Sequence, residues 1–288
     1  MSNRKKLQDL TIRDSFMFAA VMLHKENCKH FLEMLLGIPI ARIEISYEKS
    51  IIYNPEFKGV RLDVYARDEE NTRYDIEMQV VKEDLNKRVR YYHSQMDMDL
   101  LLSGHPYDEL PKAYVIFICD FDPFGLQKYC YTFENRCLEN HALSLNDGCQ
   151  SIFLSTKGNN PDEISEEMAA FLTFVREDTA EAETSSEDAF VRELKETIRN
   201  VKQNRDMERQ YMLIEDLLRQ ERKAAEIKAK AESKKEDIIV VLKERGIFSE
   251  AMQNRIMSES DINMLKSLLK AAANAASLEQ FEEMIANL

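Results

Sequence analysis

The run Ala113–Cys119 (AYVIFIC) constrains the fold most. It is almost wholly apolar, is closed by Lys112 on one side and Asp120 on the other, and is too short for a buried helix. Its β-branched and aromatic content predicts a sheet strand buried on both faces.

The segments before it supply the rest of such a sheet. Ile43–Tyr53, Arg61–Arg67 and Arg73–Val81 are rich in β-branched and aromatic residues, and Pro55, Gly59 and the polar stretch 68–72 separate them. They read as a three-strand meander. Ahead of it, Asp14 has N-cap character for a helix carrying Phe16, Met17, Ala20, Val21 and Leu23, and Cys28–Leu36 stops at Gly37 with Pro39 beyond. Residues Glu83–Leu102 have helical periodicity closed by Gly104 and Pro106, and Tyr129–Phe133 and Ser151–Leu154 are weaker strands.

Composition changes after about residue 157, where Tyr, Phe, Ile and Val give way to Glu, Lys, Ala, Arg and Met. Three regions are expected: a mixed domain over 1–157, an acidic helix and linker over 158–188, and a helical, coiled-coil-like tail over 189–288. The net charge of −13 argues against nucleic acid only if it is spread evenly, and residues 158–196 carry 12 acidic against 3 basic side chains. The first domain is nearly balanced and free to hold a basic patch. In the tail, Phe190, Leu194, Ile198 and Val201, then Met207, Tyr211, Ile214 and Leu218, recur every three or four residues around a polar break at Lys202–Asp206. This stripe predicts a homo-oligomer formed through Phe190–Leu218. Five cysteines without a C-x-x-C pair suggest reduced thiols in a cytoplasm, and no apolar run is long enough to cross a membrane.

Chemistry enters through strand geometry. Alternation puts Arg61, Asp63 and Tyr65 on one face of their strand, and Asp75, Glu77 and Gln79 on one face of the next. Adjacent strands then bring Asp63, Asp75 and Glu77 to one polar spot. Clustered carboxylates raise one another's pKa unless a cation compensates them, which points to Mg²⁺ or Mn²⁺ and to phosphodiester hydrolysis. The same spacing alone is met more often by a half-exposed sheet whose solvent face is simply polar.

The segment GVRLDVYARD (Gly59 to Asp68) followed by YDIEMQ (Tyr74 to Gln79) resembles the PD-(D/E)XK nuclease family transposases, in which a D on one strand and an E-x-Q on the next replace the usual E-x-K. The resemblance takes in TIRDSFMF (Thr11 to Phe18), KRVRYYHSQM (Lys87 to Met96) and AYVIFICDF (Ala113 to Phe121), and it covers roughly residues 7 to 155. It implies an α/β fold: a restriction-endonuclease-like mixed sheet flanked by helices, followed by a helical C-terminal tail. It makes Asp63 and Glu77 the metal ligands for Mg²⁺ or Mn²⁺, with the Met78 carbonyl as a third, and puts Gln79 where the wider fold has a lysine. An amide supplies no charge and no general base, but it can orient water.

Asp14 resembles the acid often found on the first helix of this fold. On the helix after the meander, Arg88, Tyr92 and Gln95 share a face, and Lys82, Lys87, Arg88, Arg90 and His93 form a basic cluster suited to backbone phosphates. The expected function is therefore a metal-dependent DNA endonuclease associated with recombination or mobile elements. The alternatives are an inactive nuclease fold that binds nucleic acid or protein, motivated by Gln79, and an interaction protein that acts through its tail.

Overall fold

A computed structural model describes residues 5–51, 60–178 and 188–286. The expected extension of the first strand to Tyr53, the Pro55 and Gly59 turn and residues 179–187 of the acidic linker lie outside them. The chain divides into two compact units, residues 1–208 and 209–288.

In the first unit α1 (Ser15–Met22) and α2 (Lys25–Leu36) precede β1 (Ile43–Ile51), β2 (Val60–Asp68) and β3 (Arg73–Gln79). Helix α2 ends where Gly37 takes a left-handed φ of 67° and donates its N–H to the Glu33 carbonyl. Then come α3 (Asn86–Leu100), β4 (Ala113–Cys119), β5 (Cys130–Phe133), β6 (Cys149–Ser155), α4 (Glu166–Glu177) and α5 (Ala189–Gln203). The six strands form one mixed sheet in the order β1-β2-β3-β4-β6-β5. β1, β2 and β3 are the antiparallel meander, β3, β4 and β6 run parallel, and β5 closes the far edge antiparallel to β6.

A parallel step from β3 to β4 needs a crossover, and α3 is that crossover. It lies on the face of β4 that carries Val115, Phe117 and Cys119, where Val89, Tyr92 and Met96 join them in one core cluster. The opposite face, with Ile76, Ile116, Ile118 and Leu154, is buried as well. Both sides of the sheet are thus covered, which is why AYVIFIC is apolar without alternation. β3 stops at Gln79, two residues before the expected end, and Val80 and Val81 are exposed.

Helix α5 belongs to this unit. It packs against α1, α2 and α4, with Phe190, Val191 and Leu194 fully buried. The Phe190 ring lies 4.4 Å from that of His30 and 5.9 Å from that of Phe171, and Asn27 donates its side-chain N–H to Thr197 Oγ1 at 3.2 Å. The first half of the tail's apolar stripe is therefore covered within the chain. Asp188 caps α5 by accepting the Val191 N–H at 3.0 Å.

α6 (Arg205–Glu244) begins after the break at Asn204. In the second unit its C-terminal part packs with α7 (Glu250–Ser258), α8 (Ile262–Asn274) and α9 (Leu278–Ala286). Ile238, Leu242, Ile256, Leu265, Leu268 and Phe281 make this smaller core. Earlier on α6, Met212, Leu213 and Leu217 are exposed. Among the described residues no helix is long and apolar enough to cross a membrane.

Candidate active site

The register between β2 and β3 pairs Val64 with Ile76 and Tyr65 with Asp75, so its next step sets Asp63 beside Glu77. The side chains confirm this. The Asp63 N–H donates to Glu77 Oε1 at 2.9 Å, and the Met78 N–H reaches Asp63 Oδ2 at 3.4 Å. Each carboxylate is thus held by the backbone of the other strand.

This face is not a solvent face. Asp75 is 0 %, Glu77 2 % and Gln79 8 % exposed, because α3 lies over the β3–β4 side of the sheet. A merely polar sheet surface is therefore excluded as the reason for the alternation. Burial costs the charged forms dearly. It pushes the Glu77 carboxyl up to about 8, with the Asp63 charge adding to the rise and the Asp63 N–H and Arg88 opposing it. Asp75 is raised well above its ordinary value, first by burial and then by the charges of Glu77 and Asp63.

No fixed N–H or O–H among the described residues satisfies either Asp75 oxygen. Its polar neighbour is the Glu77 carboxyl. Two carboxyls can hydrogen-bond only while one carries a proton, so the pair is satisfied when protonated and frustrated when both are ionised.

Arg88, near the start of α3, faces the cluster. Its Nη2 donates to Glu77 Oε2 at 2.8 Å, its Nη1 to Gln79 Oε1 at 3.0 Å, and its Nε to the Tyr92 hydroxyl at 2.8 Å. Gln79 donates its own amide N–H to the Val81 carbonyl at 2.7 Å, which fixes its oxygen toward Arg88. Tyr92 and Gln95 are buried on the sheet-facing side of α3, so the Arg88, Tyr92, Gln95 stripe points inward. Lys82, Lys87 and Arg90 are exposed. His93 does not extend that basic patch: it is half-buried, its Nε2 lies 3.1 Å from Ser151 Oγ, and burial lowers its pKa, disfavouring the charged ring.

Asp14 holds the N-cap position of α1 but makes no capping bond. It accepts the Thr11 N–H at 2.9 Å and pairs with Lys5 at 2.8 Å. A cluster that sequence reasoning missed lies where β3 and β4 end. The Asp120 N–H donates to the Gln79 carbonyl at 3.0 Å, while the Asp120 carboxylate pairs with Arg13 and with Lys157 at 3.0 Å and accepts the Thr156 hydroxyl at 2.8 Å. Arg13 also holds Asp178, 3.0 Å away. These residues are too far apart in sequence for any local pattern to join them.

The donor set of Asp63 and Glu77 is hard oxygen, the chemistry that suits Mg²⁺ or Mn²⁺. Among the described residues, no group of three or more His, Cys, Asp or Glu side chains is arranged to hold a metal ion.

A mixed sheet with flanking helices and paired strand carboxylates beside a fixed arginine defines a nuclease-like α/β protein. The chain belongs to the PD-(D/E)XK nuclease family transposases, whose family model matches residues 16–231. The match takes in the whole sheet, α4, α5 and part of α6. No curated protein and no solved structure matches the chain significantly.

Proposed function

We propose that the protein is a divalent-cation-dependent DNA endonuclease whose centre is Asp63, Glu77 and Gln79, acting in recombination or with mobile elements. The observation that carries this reading is the contact of Asp63 with Glu77 across the strands, with Glu77 buried beside an unsatisfied Asp75 carboxyl and paired with Arg88. Buried, clustered carboxyls disfavour one another's ionisation, and a small hard cation fits such a cluster. Asp63 and Glu77 would hold that cation, and it would offset charge on the scissile phosphate and acidify water.

The chain's own residues do the rest. The backbone N–H groups of Asp63 and Met78 keep the two carboxylates facing each other across the strands. Gln79, tied to Val81 and Arg88, offers an oriented amide rather than a base. Exposed Lys82, ahead of α3, and exposed Lys87 and Arg90, on α3, suit the DNA backbone without reading sequence. Membership of the transposase family supports this biological role.

The test is nicking of supercoiled plasmid by purified full-length protein in Mg²⁺, Mn²⁺ or EDTA. Asp63→Ala and Glu77→Ala are expected to abolish divalent-dependent nicking while the fold persists. Either variant cutting as fast as the parent in contaminant-controlled preparations would falsify the assignment.

A further inference from the structure

We propose that Arg88 is the cationic catalytic residue of this centre: anchored by Glu77, Gln79 and Tyr92, its guanidinium contacts the scissile phosphate and supplies the positive charge that Gln79 lacks. The inference rests on the nuclease reading and adds to it the group that binds the reacting phosphate.

The donor count is the first argument. A guanidinium has five N–H groups. Three are committed, Nε to Tyr92, Nη1 to Gln79 and Nη2 to Glu77. One N–H on each terminal nitrogen is left, and each can donate a charge-assisted hydrogen bond to a phosphate oxygen. Glu83 lies 3.8 Å from Nη1, at the exposed rim.

Position is the second argument. The Arg88 carbon stands 5.0 Å from the centre of the Tyr92 ring and 5.5 Å from that of Phe117, so apolar walls flank it and strengthen its field. Its side chain is nevertheless 31 % exposed, which lets a ligand reach it, whereas Glu77 behind it is 2 % exposed. Because Arg88 touches Glu77 directly, a phosphate held at the Asp63–Glu77 pair falls within its reach.

Gln79 gains a reason here. A lysine at that position would repel Arg88, while the amide oxygen accepts from it and fixes its orientation. The positive charge has therefore moved from strand β3 to helix α3. In the hydrolysis a water oxygen forms the new bond to phosphorus as the bond to the leaving strand oxygen breaks. The proton released by water balances the one taken up by the leaving oxygen. Arg88 keeps its own proton throughout and acts by charge and hydrogen bonds alone.

The experiment compares single-turnover nicking by the parent, Arg88→Ala, Arg88→Lys and the double variant Gln79→Lys/Arg88→Ala, with circular dichroism as a folding control. Duplex binding by fluorescence anisotropy in Ca²⁺ is measured in parallel. Arg88→Ala is expected to lose about 100-fold or more in rate, the range found when one transition-state donor is removed. The double variant should recover at least about tenfold of that loss, because a lysine on β3 restores the charge once Arg88 no longer repels it. Arg88→Ala within about threefold of the parent, or a double variant as slow as Arg88→Ala, overturns the proposal.

If Arg88→Ala does not fold, Arg88→Lys decides. It keeps a charge but cannot bridge Glu77 and Gln79, so a rate equal to the parent's refutes the anchored role and a clear loss supports it. A parent that nicks nothing sinks the nuclease reading itself. The binding arm then judges Arg88 alone: unchanged duplex affinity in Arg88→Ala overturns the phosphate contact, and weakened affinity sustains it.

Discussion

Replacing Glu77 by Gln should change how stability depends on pH, and the size of the change follows from the site. Glu77 is nearly fully buried, and burial with the Asp63 charge lifts its carboxyl from an ordinary 4.5 to about 8. An acid with a raised folded pKa holds its proton more tightly folded than unfolded. Its contribution to stability is therefore fully present below about 4.5 and is lost as pH rises to about 8. That interval corresponds to about 5 kcal/mol as an upper figure. Glutamine cannot ionise, and like the protonated acid it keeps the shape and one carbonyl oxygen, which accepts from either the Asp63 N–H or Arg88. In cation-free protein, urea unfolding at pH 5 should place parent and Glu77→Gln within about 1 kcal/mol of each other. At pH 8.5 the variant should be the more stable by several kcal/mol, up to about 5. Added Mg²⁺ should narrow this gap by stabilising the ionised parent. A stability difference that is the same at pH 5 and pH 8.5 would refute the argument, because the Glu77 carboxyl would then titrate alike in both states.

Three further outcomes are expected. Phe190→Ala should destabilise the first unit by about 3–5 kcal/mol in urea unfolding, since its ring is fully buried between α2 and α4 neighbours; a loss below about 1 kcal/mol would contradict that packing. Lys87→Ala with Arg90→Ala should lower the slope of log DNA affinity against log salt by about one for each phosphate contact removed, and an unchanged slope places the DNA elsewhere. If the tail self-associates, Leu213→Ser with Leu217→Ser should reduce the mass seen by light scattering, because these exposed leucines, unlike Phe190, have an open face to offer. An equal mass in parent and variant removes that surface from the proposal.

The alternation of β2 and β3 made Asp63 and Glu77 readable as neighbours, because a strand's period of two and a meander's register leave little freedom. What alternation reports, though, is polarity and not exposure. Asp75, Glu77 and Gln79 look like a solvent face in the sequence, and only the crossover helix between β3 and β4 turns that face inward. The i, i+4 spacing of Arg88 and Tyr92 showed a shared helix face without saying that it meets Glu77. The apolar stripe of α5 likewise marked a face to be covered but not its cover, which is supplied by α1, α2 and α4 more than 10 residues away in the chain. The Arg13–Asp120–Asp178 cluster left no local signal at all, since its members come from three separate parts of the sequence.

The crossover also explains why one helix bears both on stability and on the site. A parallel β3–β4 pair obliges α3 to lie over the face that carries the carboxyls, and an uncompensated charge there would cost several kcal/mol. Arg88 offsets part of this by pairing with Glu77, while Asp75 stays without a donor. A protein selected for stability alone would fill such a position with an apolar side chain, as β4 does beside it with Val115 and Phe117. The buried carboxyls fit the proposed site better than a purely structural role, and the sheet opens beside them. β3 ends at Gln79, Val80 and Val81 are exposed just beyond it, and Arg88 and Asp63 are the half-buried members of the cluster. On the proposed nuclease reading, a phosphodiester approaching from that end would meet the half-buried Arg88 and Asp63, with Glu77 buried behind them, an arrangement that fits a backbone phosphate held by its charge.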